Sequence, residues 1–214
     1  MIFRYKKTSI IKPEPIKYNI ITLGYDCSPA QAFRDMGRRI QALPFDWIIS
    51  SVTSFEKCFQ DDFAMFHKDL TFNHNKTRLI DHYGFEFPHG YPTINEHIIV
   101  DNWADYHANV CQKYRRRIDR FLNIVRDPTP LIVLCRQDIN DLPKIKRLFE
   151  KYYDKENLFF VDNTPQKQRL FRPSFDPDIF KYTIICDAEK NGNWNETAIW
   201  NEALDLAVKQ FITK

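Results

Sequence analysis

Glycine is scarce in this chain, with 5 in 214 residues. That excludes the glycine-rich cradles that wrap nucleotide phosphates, and no other cofactor-binding pattern stands in for them, so none is expected. The five cysteines, Cys27, Cys58, Cys111, Cys135 and Cys186, are odd in number and scattered, and no CxxC pair occurs. A disulfide framework and a structural zinc site are therefore both excluded, and reduced thiols of a cytoplasmic protein are the expectation. The six histidines form no HxH, HxxxH or HExxH pattern, so no metal site is expected. No apolar run reaches membrane-spanning length, and the basic Met1–Lys7 stretch has no apolar segment after it. A net charge of +3 is too small to argue for nucleic acid or an anionic membrane surface.

What the chain has is aromatic and apolar substance, 18 Phe and 10 Tyr within 43% hydrophobic residues, enough for one substantial core. The expectation is a single domain over 1–214, with a basic, proline-containing arm over 1–17. Unbroken apolar runs at 19–23, 131–135, 158–161 and 183–186 read as strands buried on both faces. Amphipathic segments read as helices at 29–36, 52–60, 103–126, 141–153 and 196–212. The longest repeats Trp103, Tyr106, Val110, Tyr114, Ile118, Phe121, Leu122 and Val125 at steps of three and four. The fold class is thus α/β, a Rossmann-like three-layer sandwich with a mainly parallel central sheet. Residues 61–100, rich in His and Phe, show no sustained period. They read as an irregular insertion lying over the carboxyl-end rim of the sheet, and 164–180 reads as a long loop.

Ligands in such sheets bind beyond the carboxyl ends of the strands. There the chain places Tyr25, Asp26, Cys27 and Ser28 after the first strand, Arg136 and Asp138 after the second, and further polar residues after the others. Ser28, Pro29 and Gln31 have the spacing of a helix cap with a capping box. Cys27 then precedes a helix N-terminus, where amide groups and the helix dipole favour a thiolate. A thiol nucleophile needs a base, most often His, oriented by a third group. His89, between Pro88 and Gly90 in an exposed turn, is the favoured base. Asp46, in Pro44-Phe45-Asp46-Trp47, could orient that base or cap the helix that follows. The cluster Arg115, Arg116, Arg117 and Arg120 occupies the long helix, where Arg117 and Arg120 lie near the apolar border and could reach an anion.

The run Leu23-Gly24-Tyr25-Asp26-Cys27-Ser28-Pro29-Ala30, followed by Pro44-Phe45-Asp46-Trp47, resembles a family of unknown function described as papain-like cysteine peptidases. Its members read SLGxNCxxAxxLRxxGL followed by PFDW. Tyr114 to Phe121 is similar to that family's arginine-rich helix. The resemblance implies Cys27 as nucleophile, with a His and an Asp completing a triad. The order of elements is also similar to SGNH-type hydrolases, with Asp26-Cys27-Ser28 at the place of their Gly-Asp-Ser. Their C-terminal histidine has no counterpart, because no histidine follows His107.

Two readings follow. In the first the protein is a thiol-dependent hydrolase or acyl transferase, with Cys27 attacking a carbonyl and the amides of Ser28 and its neighbours holding the oxyanion. In the alternative it is a non-catalytic module whose Tyr25, Asp26, Ser28, Arg117, Arg120, Arg136 and Asp138 bind an anionic ligand such as a phosphate or glycan. The expected partner is a peptide, a glycan or a small anion. Nucleic acid is not expected, since no recognised binding module is present.

Overall fold

The computed structural model describes residues 17–138, 140–162, 174–176, 179–181 and 197–212. In chain order these form β1 (Asn19–Gly24), α1 (Ser28–Asp35), α2 (Val52–Gln60), β2 (Thr71–Phe72), β3 (Leu79–Ile80), β4 (Glu86–Phe87), β5 (Thr93–Ile94), β6 (Ile98–Ile99), α3 (Ala104–Arg126), β7 (Leu131–Arg136), α4 (Leu142–Tyr153), β8 (Leu158–Asp162), β9 (Ser174–Asp176), β10 (Ile179–Lys181) and α5 (Thr197–Phe211). The result is a mixed α/β architecture around a small parallel sheet. Its strand order is β1-β7-β8-β10-β9. The first three strands pair in parallel, with Leu23 beside Cys135 and Leu134 beside Val161.

The apolar runs are unbroken because both faces of this sheet are covered. Ile21, Leu23, Leu131, Val133, Leu158 and Phe160 face one core cluster, with α2, α3 and α4. Ile132, Leu134 and Val161 face another, with Ala32 and Phe33 of α1 and Trp200, Ala203, Leu204 and Ala207 of α5. Among the described residues no helix is long and apolar enough to cross a membrane.

Several expectations need correction, and two others fall where the structure gives no description. The strand expected at 183–186, with Cys186, and the arm before Lys17 lie outside the described residues. Two short strands, β9 and β10, stand inside the segment expected to be loop; β10 pairs in parallel with β8 and antiparallel with β9. Tyr106 is exposed on α3 although it fits the apolar period, and Leu206 is exposed on α5. A period records which side chains share a face, while burial also needs a neighbour on that face.

The insertion is more built than its sequence suggests. It holds a three-stranded antiparallel sheet, β2-β3-β4, and a hairpin, β5-β6. Its period is hidden because the strands are two residues long and many connecting residues, including Phe63, His67 and Asp69, have positive φ. Phe63, Phe66, Phe85 and Phe87 are buried and packed against α2 and α3. Phe45 of the Pro-Phe-Asp-Trp motif meets six phenylalanine rings at centroid distances of 5.1 to 6.2 Å. The histidine and phenylalanine content thus builds a packed aromatic layer in place of a loose cover.

Candidate functional site

Cys27 stands where β1 hands over to α1. Gly24 ends the strand, and a Cβ there would lie 2.6 Å from the carbonyl oxygen of Asp26, so only glycine permits this tight exit. Gly37 closes the same helix at φ +69. The cap is arranged differently from the capping box. Cys27 itself is the N-cap, with no side-chain cap bond. Asp26 Oδ1 accepts the Ser28 N–H at 2.9 Å, and Gln31 donates its side chain to Asp35 instead of reaching back.

Around Cys27 the rim is polar and partly sealed. The buried Arg136, in register with Gly24 on β7, donates to Ser28 Oγ at 2.7 Å. It also pairs with Asp26 Oδ2 at 3.1 Å. Its guanidinium lies 5.7 Å from the ring centre of Tyr25, which is 40% exposed. Ser50 donates through both its N–H and its hydroxyl to the Gly24 carbonyl, and Gln137 donates to Ser50 Oγ at 3.3 Å. These contacts tie the chain after the Pro-Phe-Asp-Trp motif to the end of β1. An isolated bridge from Ile49 to Glu86 attaches β4 of the insertion beside it.

The electrostatics run against a preformed thiolate. Burial is the main cause that pushes the Cys27 thiol above its ordinary pKa, and the Asp26 carboxylate adds to it; its own backbone N–H and Arg136 act weakly the other way. Two of the amides expected to create the anion-friendly setting are engaged and a third is missing. Ser28 N–H is taken by Asp26, Gln31 N–H by the Cys27 carbonyl, and Pro29 has none.

Of the other expected site residues, Asp138 accepts from Asn140 within its own exposed turn. Arg117 lies over the Tyr114 ring at 5.4 Å, and Arg120 donates to the Ala42 carbonyl at 3.4 Å, so neither joins the Arg136 cluster. His89 sets its ring edge-on to Trp47 at 6.1 Å, and partial burial holds its pKa below the ordinary value. The guanidinium groups of Arg34 and Arg39 lie over the same indole. Asp46 is buried, accepts from Thr22 Oγ1 at 2.8 Å and Leu43 N–H at 2.9 Å, and has Arg39 Nη1 at 3.6 Å. It neither orients a histidine nor caps α2, whose cap is Ser51. All six histidines lie among the described residues, and none is hydrogen-bonded to Cys27.

A profile of the family described as "Putative papain-like cysteine peptidase (DUF1796)" matches residues 18–152, well over half of the 214 residues. The chain belongs to that family. No curated protein and no solved structure matches it. The matched span takes in both motifs, the insertion, α3 and Arg136, and membership supports a hydrolase reading at the level of the family.

Sequence reasoning missed a second polar cluster inside that span. Cys111 and His107 are four residues apart on α3, one helical turn, which was the available signal. Sγ lies against the face of the His107 ring, 3.3 Å from Nε2 and 3.8 Å from Nδ1. The Tyr91 hydroxyl is 3.0 Å from His107 Nδ1 and 2.7 Å from Nε2 of the buried His67. Beneath it, the buried Asp81 accepts backbone N–H groups from His67, Tyr83 and Phe85 at 3.0 Å each. Burial pushes the Asp81 carboxyl up to about 6 in spite of those donors. Among the described residues no group of three or more His, Cys, Asp or Glu side chains is placed to hold a metal.

Proposed function

We propose that the rim at Cys27 is the active site of a thiol-dependent hydrolase or acyl transferase built on a Rossmann-like, three-layer frame. The observation that carries this reading is position. In a family described as cysteine peptidases, Cys27 caps a helix just beyond the carboxyl end of a parallel strand, the place where such sheets bind ligands. Cys27 Sγ attacks the substrate carbonyl. With the Ser28 and Gln31 amides engaged, the developing oxyanion falls to the buried guanidinium of Arg136. No imidazole is hydrogen-bonded to the thiol and the Asp26 charge opposes its ionisation, so its proton is lost to solvent before attack, and the substrate's alcohol or amine portion departs as the acyl thioester forms. Because the thiol is held protonated, the reaction rises toward alkaline pH.

The test is turnover of a panel of ester and amide substrates, together with labelling by a haloacetyl peptide mapped by mass spectrometry. Cys27→Ser is expected to abolish turnover and to remove the label. Arg136→Gln should reduce turnover about a hundredfold, the usual worth of one oxyanion donor. Unchanged turnover in Cys27→Ser would overturn the assignment.

One observation favours a second reading, in which the rim binds an anion without chemistry: Cys27 lacks a histidine partner, while a buried arginine stands beside it. A phosphate or uronate would then raise the melting temperature of wild type and of Cys27→Ser alike. It would leave that of Arg136→Gln unmoved.

A further inference from the structure

The last turn of α1, the Pro-Phe-Asp-Trp motif and the arginine-rich helix meet around one indole that the Cys27 chemistry does not use. The guanidinium groups of Arg34 and Arg39 lie 5.3 and 5.6 Å from the centre of the Trp47 ring, and His89 meets it edge-on. The chain after His89 turns at Gly90, with φ +129. A Cβ there would lie 3.5 Å from Lys113 Nζ, so the bare glycine leaves room for that ammonium. Lys113 and Arg117 both border the ring of the buried Tyr114, at 5.7 and 5.4 Å. Arg39, 3.6 Å from Asp46, and Arg117 both act on that buried carboxyl. Trp47, His89, Lys113, Tyr114, Arg117 and Arg39 thus form one continuous basic and aromatic patch.

Two carboxylates stand among these cations, and both are committed. Asp35 is paired with Arg34 at 2.9 Å and accepts from Gln31. Asp46 accepts from Thr22 and Leu43 and faces Arg39. Among the described residues Lys113 and Arg117 form no ion pair. They stand one turn apart on α3, where like charges repel. Partial burial, and then the charge of Arg117, hold the Lys113 ammonium below its ordinary pKa. A solvated helix face would send both side chains into water, yet both are partly buried against Tyr114. Arg39 keeps a fifth of its side-chain surface in water, so it too can meet a ligand.

We propose that this patch binds the phosphate monoester group of a small molecule, held by Lys113, Arg117 and Arg39, at a site separate from the rim at Arg136. Two guanidinium forks and an ammonium supply more donors than one carboxylate can accept. A phosphate monoester brings close to two charges and three strong acceptor oxygens, which matches them. Its charge also relieves the repulsion between Lys113 and Arg117.

The probe is glycerol phosphate at low salt, followed by tryptophan fluorescence and by the shift in melting temperature. Saturable binding is expected in wild type and, with the same affinity, in Arg136→Gln. Trp47→Phe should remove the fluorescence change. Lys113→Gln and Arg117→Gln should each weaken binding at least tenfold, about the worth of one charge-assisted hydrogen bond. Neither should lower the melting temperature of the unliganded protein, because each relieves a like-charge contact. Binding lost in Arg136→Gln, or kept in the Lys113→Gln/Arg117→Gln double variant, would overturn the proposal. An equal effect of acetate at matched ionic strength, or tighter binding of a single-stranded oligonucleotide, would overturn it as well. These last two are read on wild-type protein, so the test holds even if a variant does not fold.

Discussion

Cys27 and Cys111 lie in the same family-matched span and have opposite endowments. Cys27 has the position, at the end of a parallel strand and the start of a helix, with a buried arginine and no imidazole. Cys111 has an imidazole face against its sulfur, one helix turn away, beside a pocket walled by the insertion. Sheet topology delivers a residue to a rim whatever its partners are, whereas helical spacing and the insertion's packing bring partners together wherever they fall. The polar groups differ accordingly. At the rim, the buried Arg136 is paired with the partly exposed Asp26. Under α3, burial drives His67 down to about 3 and Asp81 up to about 6, so each is held toward its neutral form.

The largest expected effect separates the two regions mechanically. Asp81 anchors the backbone of His67, Tyr83 and Phe85, and its removal orphans three donors at once. Asp81→Ala should cost about 3–5 kcal/mol in urea unfolding. In hydrogen exchange the loss should concentrate in residues 61–100 while β1 and β7 stay protected. A cost below about 1 kcal/mol, or uniform loss of protection, would mean that the two regions are a single cooperative unit built another way.

The next test uses pH. For His67 the unfolded chain titrates at 6.5 and the folded chain at about 3. Between those values the unfolded state holds the extra proton, so the stability from the neutral buried ring is full above pH 6.5 and is lost as pH falls. Asp81 runs the other way. Its folded value of about 6 lies above the ordinary 3.8, so its contribution is full below 3.8 and is lost as pH rises through 6. Between pH 3.8 and 6 the two slopes oppose each other in wild type. His67→Asn, which also suits the positive φ at that position, removes one side of the balance. The stability difference between wild type and this variant should shrink by about 1 kcal/mol per pH unit as pH falls from 6.5 to 4. A difference constant with pH would show that His67 is not held neutral.

At the rim, Arg136→Gln removes the partner of Asp26 and the donor to Ser28 Oγ. Since Asp26 keeps about a third of its surface in water, the expected cost is about 2 kcal/mol, below that for a fully sealed pair. Labelling of Cys111 by iodoacetamide should not change in this variant, and a change there would show that the two sites communicate.

Much of the frame was legible because its signal is local. β1, β7 and β8 are apolar without alternation, and a strand covered on both faces has no other way to be written. The place of Cys27 followed from Gly24, Pro29 and the apolar run before them. What escaped depends on contacts far apart in sequence. His89 sits in a turn that looks exposed, yet its surroundings are set by Trp47, Arg34 and Arg39. Asp46 has the spacing of a cap and became a clasp to Thr22, which lies 24 residues away. Asp26 takes the amide that the capping box would have left for an oxyanion, and its other oxygen is held by Arg136 on another strand. The pair His107 and Cys111 was within reach of helix periodicity, but Tyr91 and His67, which give it direction, come from the insertion, where no period survives.

The smallest effect sharpens the contrast most directly. Burial chiefly raises the Cys27 pKa, and Asp26 is the second cause. Asp26→Asn deletes that negative charge yet keeps an oxygen that can accept the Ser28 N–H. The Cys27 pKa should therefore fall, and its iodoacetamide alkylation at neutral pH should speed up by a few fold, since the thiolate is the reacting species. No such gain is expected at Cys111, which is raised chiefly by burial and lowered by Arg115 and Lys68. The competing result is informative. If Asp26→Asn slows Cys27 instead, the carboxylate is acting as the proton acceptor, because a base that is removed costs more rate than a repulsion relieved returns. The direction of this one rate change thus decides whether Asp26 works on the thiol through its field or through its basicity.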